Sequence, residues 1–119
     1  MLKTPYLLFL GDAPDQLAAK VAQGIRHWRP ESCVGQLRFP GCNADVGLPD
    51  MTVEEARKAG AQTMVIGTAN RGGVISPAWL ETLVAAAEAG MDIASGLHNR
   101  LTALPTLVEA AERAGTRLI

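Results

Sequence analysis

The sequence predicts an α/β domain built on a parallel sheet, and three observations predict it. Apolar runs of strand length alternate with segments of helical period, with little spare sequence between them. The strand-length runs lack polar alternation, as strands covered on both faces do. The length, 119 residues, suits one domain with one core.

Residues 6–10, Tyr6 through Leu10, are apolar throughout and form the first predicted strand. From Pro14 to about Trp28, Leu17, Val21, Ile25 and Trp28 recur at helical spacing as one apolar stripe, which predicts a helix. Asp12 or Ala13 is its expected cap, and Pro14 suits a first turn, where a missing N–H costs nothing. Residues 33–39 fit a second strand and residues 40–50 a loop of turn-formers. Thr52 with Glu55 reads as a capping box opening a short helix that stops at Gly60. Residues 63–66 are the third strand. Ser76 and Pro77 cap and start a helix whose Leu80, Leu83, Val84 and Ala87 share a face. Residues 91–95 are a fourth strand, Pro105 opens a last helix to Gly115, and residues 116–119 read as the opening of a fifth strand. Two strand orders fit, 3-2-1-4-5 and 2-1-3-4-5, with the first preferred.

Composition excludes several classes of function. Eleven Lys and Arg against 12 Asp and Glu give a net charge of -1, so no basic excess is present to neutralise a nucleic-acid backbone. The first apolar run stops at Gly11, far short of the ~20 residues a spanning helix needs and of the ~7 to 15 of a secretory signal. No membrane partner is expected, and the expected compartment is the cytoplasm. Cys33 and Cys42 form no CxxC pair and are expected to be free thiols. Ending on a short apolar stub, residues 1–119 are expected to be one domain of a longer two-domain protein. The two tryptophans suggest an exposed apolar patch, compatible with a homo-oligomer.

Ligands of open parallel sheets bind beyond the carboxyl ends of the strands. The loops there hold Gly11, Asp12, Cys42, Asn43, Asp45, Asn70, Arg71, Gly72, Gly73, His98 and Asn99. In the first loop only one glycine of a GxGxxG pattern is present, and Asp12 and Asp15 oppose a pyrophosphate. Gly72 and Gly73 can turn successive N–H groups inward as an anion nest, with Arg71 adding a bidentate fork for a carboxylate or phosphate. His98 is a candidate general base, because an imidazole ordinarily titrates near neutrality. Cys42 shows no base partner, His27 reads as structural, and the spacing of Cys42, Asp45 and His98 argues for no metal. No Walker-type phosphate loop is present.

Four stretches together, residues 4–20, 41–45, 69–73 and 95–99, closely resemble the N-terminal part of DgcN-type proteins, described as N-acetyltransferases of D-glutamate catabolism. The resemblance covers essentially the whole chain. It implies a Rossmann-like three-layer α/β/α domain joined to a larger C-terminal P-loop domain, and acetyl-CoA as a substrate of the full-length parent. The expected function is then a domain binding the carboxylates of D-glutamate or a similar acidic amino acid, with Asn70, Arg71, Gly72, Gly73 and Asn99 as anchors and the isolated domain inactive. The alternatives are a non-catalytic structural or oligomerisation module of a P-loop protein, or a nucleotide-binding Rossmann domain. NAD and the adenylate part of CoA are the nucleotides considered.

Overall fold

The computed structural model describes residues 3–67, 76–95 and 104–119 and places four parallel strands between two layers of helix. In chain order the elements are β1 (Tyr6–Gly11), α1 (Lys20–Trp28), β2 (Cys33–Arg38), α2 (Val53–Lys58), β3 (Thr63–Ile66), α3 (Pro77–Glu88), β4 (Asp92–Ser95) and α4 (Pro105–Ala114). The predicted capping box is formed in full, Glu55 N–H to Thr52 Oγ1 at 3.1 Å and Thr52 N–H to Glu55 Oε1 at 3.0 Å. The Ser76 hydroxyl accepts from Trp79 N–H at 3.3 Å, with Pro77 in the first turn of α3.

Alternation along the strands divides the core. Leu7, Phe9, Met64, Ile66 and Ile93 face α2, α3 and α4, where Trp79, Leu83, Ala86, Leu107 and Ala110 pack against them. Leu8, Leu10, Val65 and Ala94 face the other way, toward Ala19 and Ala22 and the loop residue Ala44. Among the described residues, one face of the sheet thus carries three helices and the other a single one. That single helix sits close: a Cβ on Gly67 would lie 2.5 Å from Ala22 Cβ, and Ala22 N–H donates to Gly67 O at 3.2 Å.

Three expectations are corrected here. The strand order is β2-β1-β3-β4, so the preferred 3-2-1-4-5 arrangement, with the third strand beside the second, does not occur, and the other expected order, 2-1-3-4-5, does. The cause lies at the outer edge of β2, where Gln36 N–H donates to Pro49 O and Met51 N–H donates to Gln36 O, both at 2.9 Å. The returning chain occupies that edge and crowds Gly35, so close that a Cβ there would meet Pro49 O at 2.9 Å; β3 therefore pairs with the other edge of β1. The fifth strand shrinks to one bridge, Leu118 beside Ile93. With the Asp50 and Leu118 bridges included, six segments lie in the spatial order of a doubly wound dinucleotide fold, its two outer strands reduced to single bridges.

The second correction concerns the first helix, which is a 3₁₀ turn at Leu17–Ala19 followed by α1 rather than one helix from Pro14. Its stripe points outward. Leu17, Val21 and Trp28 are 67%, 48% and 78% exposed, while Ala19 and Ala22 are buried and Ile25 packs on the core margin. Small residues face the sheet because the approach to Gly67 leaves no room for larger ones. Third, neither Asp12 nor Ala13 caps this segment: Asp15 Oδ1 accepts from Ala18 N–H at 2.9 Å, and Asp12 Oδ1 accepts from Trp79 Nε1 at 2.8 Å.

Candidate functional site

Because β2 lies on one side of β1 and β3 on the other, successive connections diverge at the carboxyl ends of β1 and β3, the switch point where open sheets of this class bind ligands. Gly67 N–H, donating to Phe9 O at 3.0 Å, ties the exit of β3 to β1 there. Gly11 takes a left-handed φ of +53°, which turns the chain sharply out of β1. Over this turn lies the indole of buried Trp79, edge-on to Phe9 with ring centroids 4.9 Å apart. A Cβ on Gly11 would meet both rings at 3.0 Å, so aromatic carbon fills the space beside the glycine.

The loop of residues 40–50 is fastened onto the same end of the sheet. Asn43 N–H donates to Ala13 O at 2.9 Å and its side-chain amide to Pro14 O at 3.1 Å. Gln16 makes two hydrogen bonds with the Asp45 backbone, its Nε2 donating to Asp45 O at 2.7 Å and its Oε1 accepting from Asp45 N–H at 2.8 Å. From beneath, the 1% exposed Gln36 donates to Asp45 Oδ1 at 3.0 Å and accepts from Val46 N–H at 3.0 Å. Arg38, last residue of β2, holds Asp50 through a bidentate pair at 2.7 and 2.6 Å and stands 3.5 Å from Asp45. These bonds favour the ionised carboxylates. The Gly47 N–H and then the Gln36 amide hold the Asp45 carboxyl below the usual range, and Arg38 does the same for Asp50.

Of the residues expected from sequence, Gly11, Asp12, Cys42, Asn43 and Asp45 are therefore brought to one end of the sheet. Cys33 and Cys42 are free thiols, both half-buried. Asn70, Arg71, Gly72, Gly73, His98 and Asn99 lie outside the described residues. Sequence reasoning missed Gln16, Gln36, Arg38 and Asp50, which clamp the loop, and Trp79, which covers the turn. Gln36 carried the one usable signal, a polar residue inside a buried strand.

The arrangement can bear on an amine or cation near Asp12 and Asp15, both exposed. It does not suit a pyrophosphate. Asp15 already takes the Ala18 N–H, Pro14 has none, the glycine hollow is filled, and Asp12 and Asp15 add two negative charges to the same turn. Glu31, 20 residues after Gly11, lies before β2 begins, at the end of the sheet remote from this turn, so it cannot serve as the ribose-binding acid of dinucleotide folds.

Residues 37–119 match a family described as a domain of unknown function, DUF1611_N, a Rossmann-like domain. A relative from Tritonibacter scottomollicae named D-glutamate N-acetyltransferase is 62% identical over 118 residues, which are 99% of this chain and 35% of that protein. A protein of the same name from a Pseudoalteromonas species is 47% identical, over 99% of this chain and 36% of its own length. The chain thus spans about a third of the length of these curated relatives. Among solved structures, a DUF1611 family protein from Anabaena variabilis superposes with a TM-score of 0.75 at 21% identity, covering 97% of this chain and 36% of that one. Homoserine dehydrogenase of S. aureus follows the same fold, with a TM-score of 0.60 at 16% identity over 99% of this chain and 32% of its own. By the match over residues 37–119, and in agreement with its parallel sheet, the chain belongs to the DUF1611_N family of Rossmann-like domains.

Proposed function

We propose that this region is the substrate-binding part of an N-acetyltransferase that acylates D-glutamate, or a similar acidic amino acid, with acetyl-CoA as donor. One observation carries the reading: two proteins named for that activity are 62% and 47% identical to the chain across 99% of its length. The remainder of the polypeptide, a C-terminal P-loop domain, completes the enzyme. Acetyl transfer breaks the thioester of acetyl-CoA and joins the acetyl carbon to the substrate nitrogen, which gives up a proton as CoA leaves as its thiol; the two substrate carboxylates are unchanged, so they are the natural handles for a binding domain.

The sheet supports a place for those handles. Segment 68–75 leaves from Gly67, which is tied to β1 at the switch point, and re-enters at Ser76, the cap of α3. Arg71 and the Gly72 and Gly73 amides in that segment are the carboxylate anchors, Asn70 and Asn99 are further candidate anchors, and His98 is the candidate for receiving the amine proton. The exposed Asp12 and Asp15 carboxylates lie on the β1 side, where they favour the substrate ammonium. The nucleotide part of acetyl-CoA does not fit the β1 turn, for the reasons of charge and space given above, and belongs outside these residues.

The test is acetylation of D-glutamate by the full-length polypeptide, with Arg71→Ala beside the unsubstituted protein. Losing a charge-assisted hydrogen bond worth ~1.5 to 3 kcal/mol raises KM by about tenfold or more. Unchanged KM removes Arg71 as an anchor, and absence of acetyl transfer overturns the reading. A second reading, a non-catalytic module that supports the rest of the polypeptide, draws on the filled turn at Gly11. On that reading, deleting residues 1–119 changes assembly and leaves ligand affinity of the remainder intact.

A further inference from the structure

Among the described residues, four large hydrophobic side chains are exposed, and three of them, Leu17, Val21 and Trp28, lie on one stripe of the 3₁₀ turn and α1. Gly24 falls on the same stripe and has nothing within 4 Å of where its Cβ would stand, so the helix backbone itself is open to close approach. Among the described residues the stripe is the outer side of the only helix on its face of the sheet, while the opposite face carries three. Exposed Lys20 at the start of α1 and exposed Arg29 just beyond its end stand beside the stripe, α1 contains no acidic residue, and His27 stacks edge-on against Trp28 with centroids 5.3 Å apart. An apolar strip that ends on a solvent-facing tryptophan and is rimmed by charge is the composition of an interface rather than of free surface.

We infer that this outer face of α1 is the docking surface for the remainder of the full-length polypeptide, which presents an apolar patch with an acidic rim. The inference rests on the proposal that the chain is part of a longer enzyme, and the relatives supply the occupant: 64 to 65% of their length lies outside the region matched here. The basic flank and the absence of acid on α1 select the charge of the covering surface. A second copy of the same chain would set this basic flank against itself.

The test is thiol access. Val21→Cys is introduced into the 119-residue chain and into the full-length polypeptide, with Lys58→Cys on exposed α2, across the sheet, as the reference, and each is reacted with a maleimide over a range of protein concentrations. Cys33 and Cys42 are replaced by Ser in both. The expected result is that the thiol at position 21 reacts at least about tenfold more slowly in the full-length polypeptide at every concentration, as access is lost in a closed interface, while the thiol at 58 reacts alike in both. Equal rates at position 21 overturn the inference. Protection of the 119-residue chain that grows with its concentration also overturns it, in favour of a second copy. Should the substituted full-length polypeptide fail to fold, hydroxyl-radical oxidation of Trp28 in the unsubstituted one reads the same surface, with suppression expected and full oxidation overturning the inference. Acetylation of D-glutamate by the same samples separates the two readings: a protected position 21 without acetyl transfer sinks only the catalytic proposal, and transfer with an open position 21 sinks only the docking one.

Discussion

Asp92 opens β4 with its side chain 5% exposed, an expensive place for a carboxylate. Burial pushes its pKa up, but the Arg117 N–H at 2.9 Å and the Arg117 guanidinium at 3.0 and 3.2 Å together outweigh that, and the net shift is downward. The pair also fastens the last segment to β4 beside the Leu118 bridge. A carboxyl whose folded-state pKa is depressed contributes stability that is fully present above its unfolded value of ~3.9 and is lost as pH falls through the folded value. Asp92→Asn keeps the shape, leaves Arg117 without its counter-charge, and should cost about 1 to 3 kcal/mol at pH 7. Urea midpoints from pH 7 to pH 3 check the sign: the gap between the unsubstituted chain and the variant narrows below about pH 4. A gap that stays constant or widens in acid would show that Asp92 is not ionised in the fold.

At the scale of elements, caps and strands were legible where one local interaction decides them. Thr52 with Glu55 and Ser76 with Pro77 needed no tertiary information, and both formed as read. The first helix was not, because its Leu, Val and Trp stripe is stronger than its Ala19 and Ala22 stripe, and only the close approach to Gly67 selects the smaller side chains for the core. The loop of residues 40–50 looked like punctuation because its order comes from partners distant in sequence. Asp45 bonds Gln16, 29 residues away, and Val46 bonds Gln36. Gln36→Leu tests that account. It removes the bonds to Asp45 and Val46 from under the loop and should cost about 1 to 3 kcal/mol, since the partners lose a buried donor and acceptor. Amide exchange at Val46 and Gly47 should accelerate while that at Leu8 does not; a uniform change across the sheet would mean that Gln36 acts through β2 instead of the loop.

For the whole molecule, the fold and the chemistry at its best-known site point in different directions. The six segments follow the spatial order of a dinucleotide fold, and homoserine dehydrogenase shares that architecture over 99% of the chain. Architecture of this kind fixes where a ligand binds and leaves open which one. At Gly11 the sequence had already replaced the glycine pattern with carboxylates, and the structure adds the steric half, the Trp79 and Phe9 rings where a pyrophosphate would approach. Charge and space therefore act together, and relieving one alone does not create a site. An amide NMR titration of the 119-residue chain separates the possibilities: NADH should leave Gly11, Asp12, Ala13 and Ala18 unshifted, whereas D-glutamate should shift amides of segment 68–75. Movement of Gly11 through Ala18 with NADH would return the turn to the nucleotide-binding class and displace the carboxylate reading. Silence toward D-glutamate, with the full-length polypeptide active, would place substrate recognition beyond these 119 residues and leave the domain as the scaffold that the rest of the polypeptide docks on.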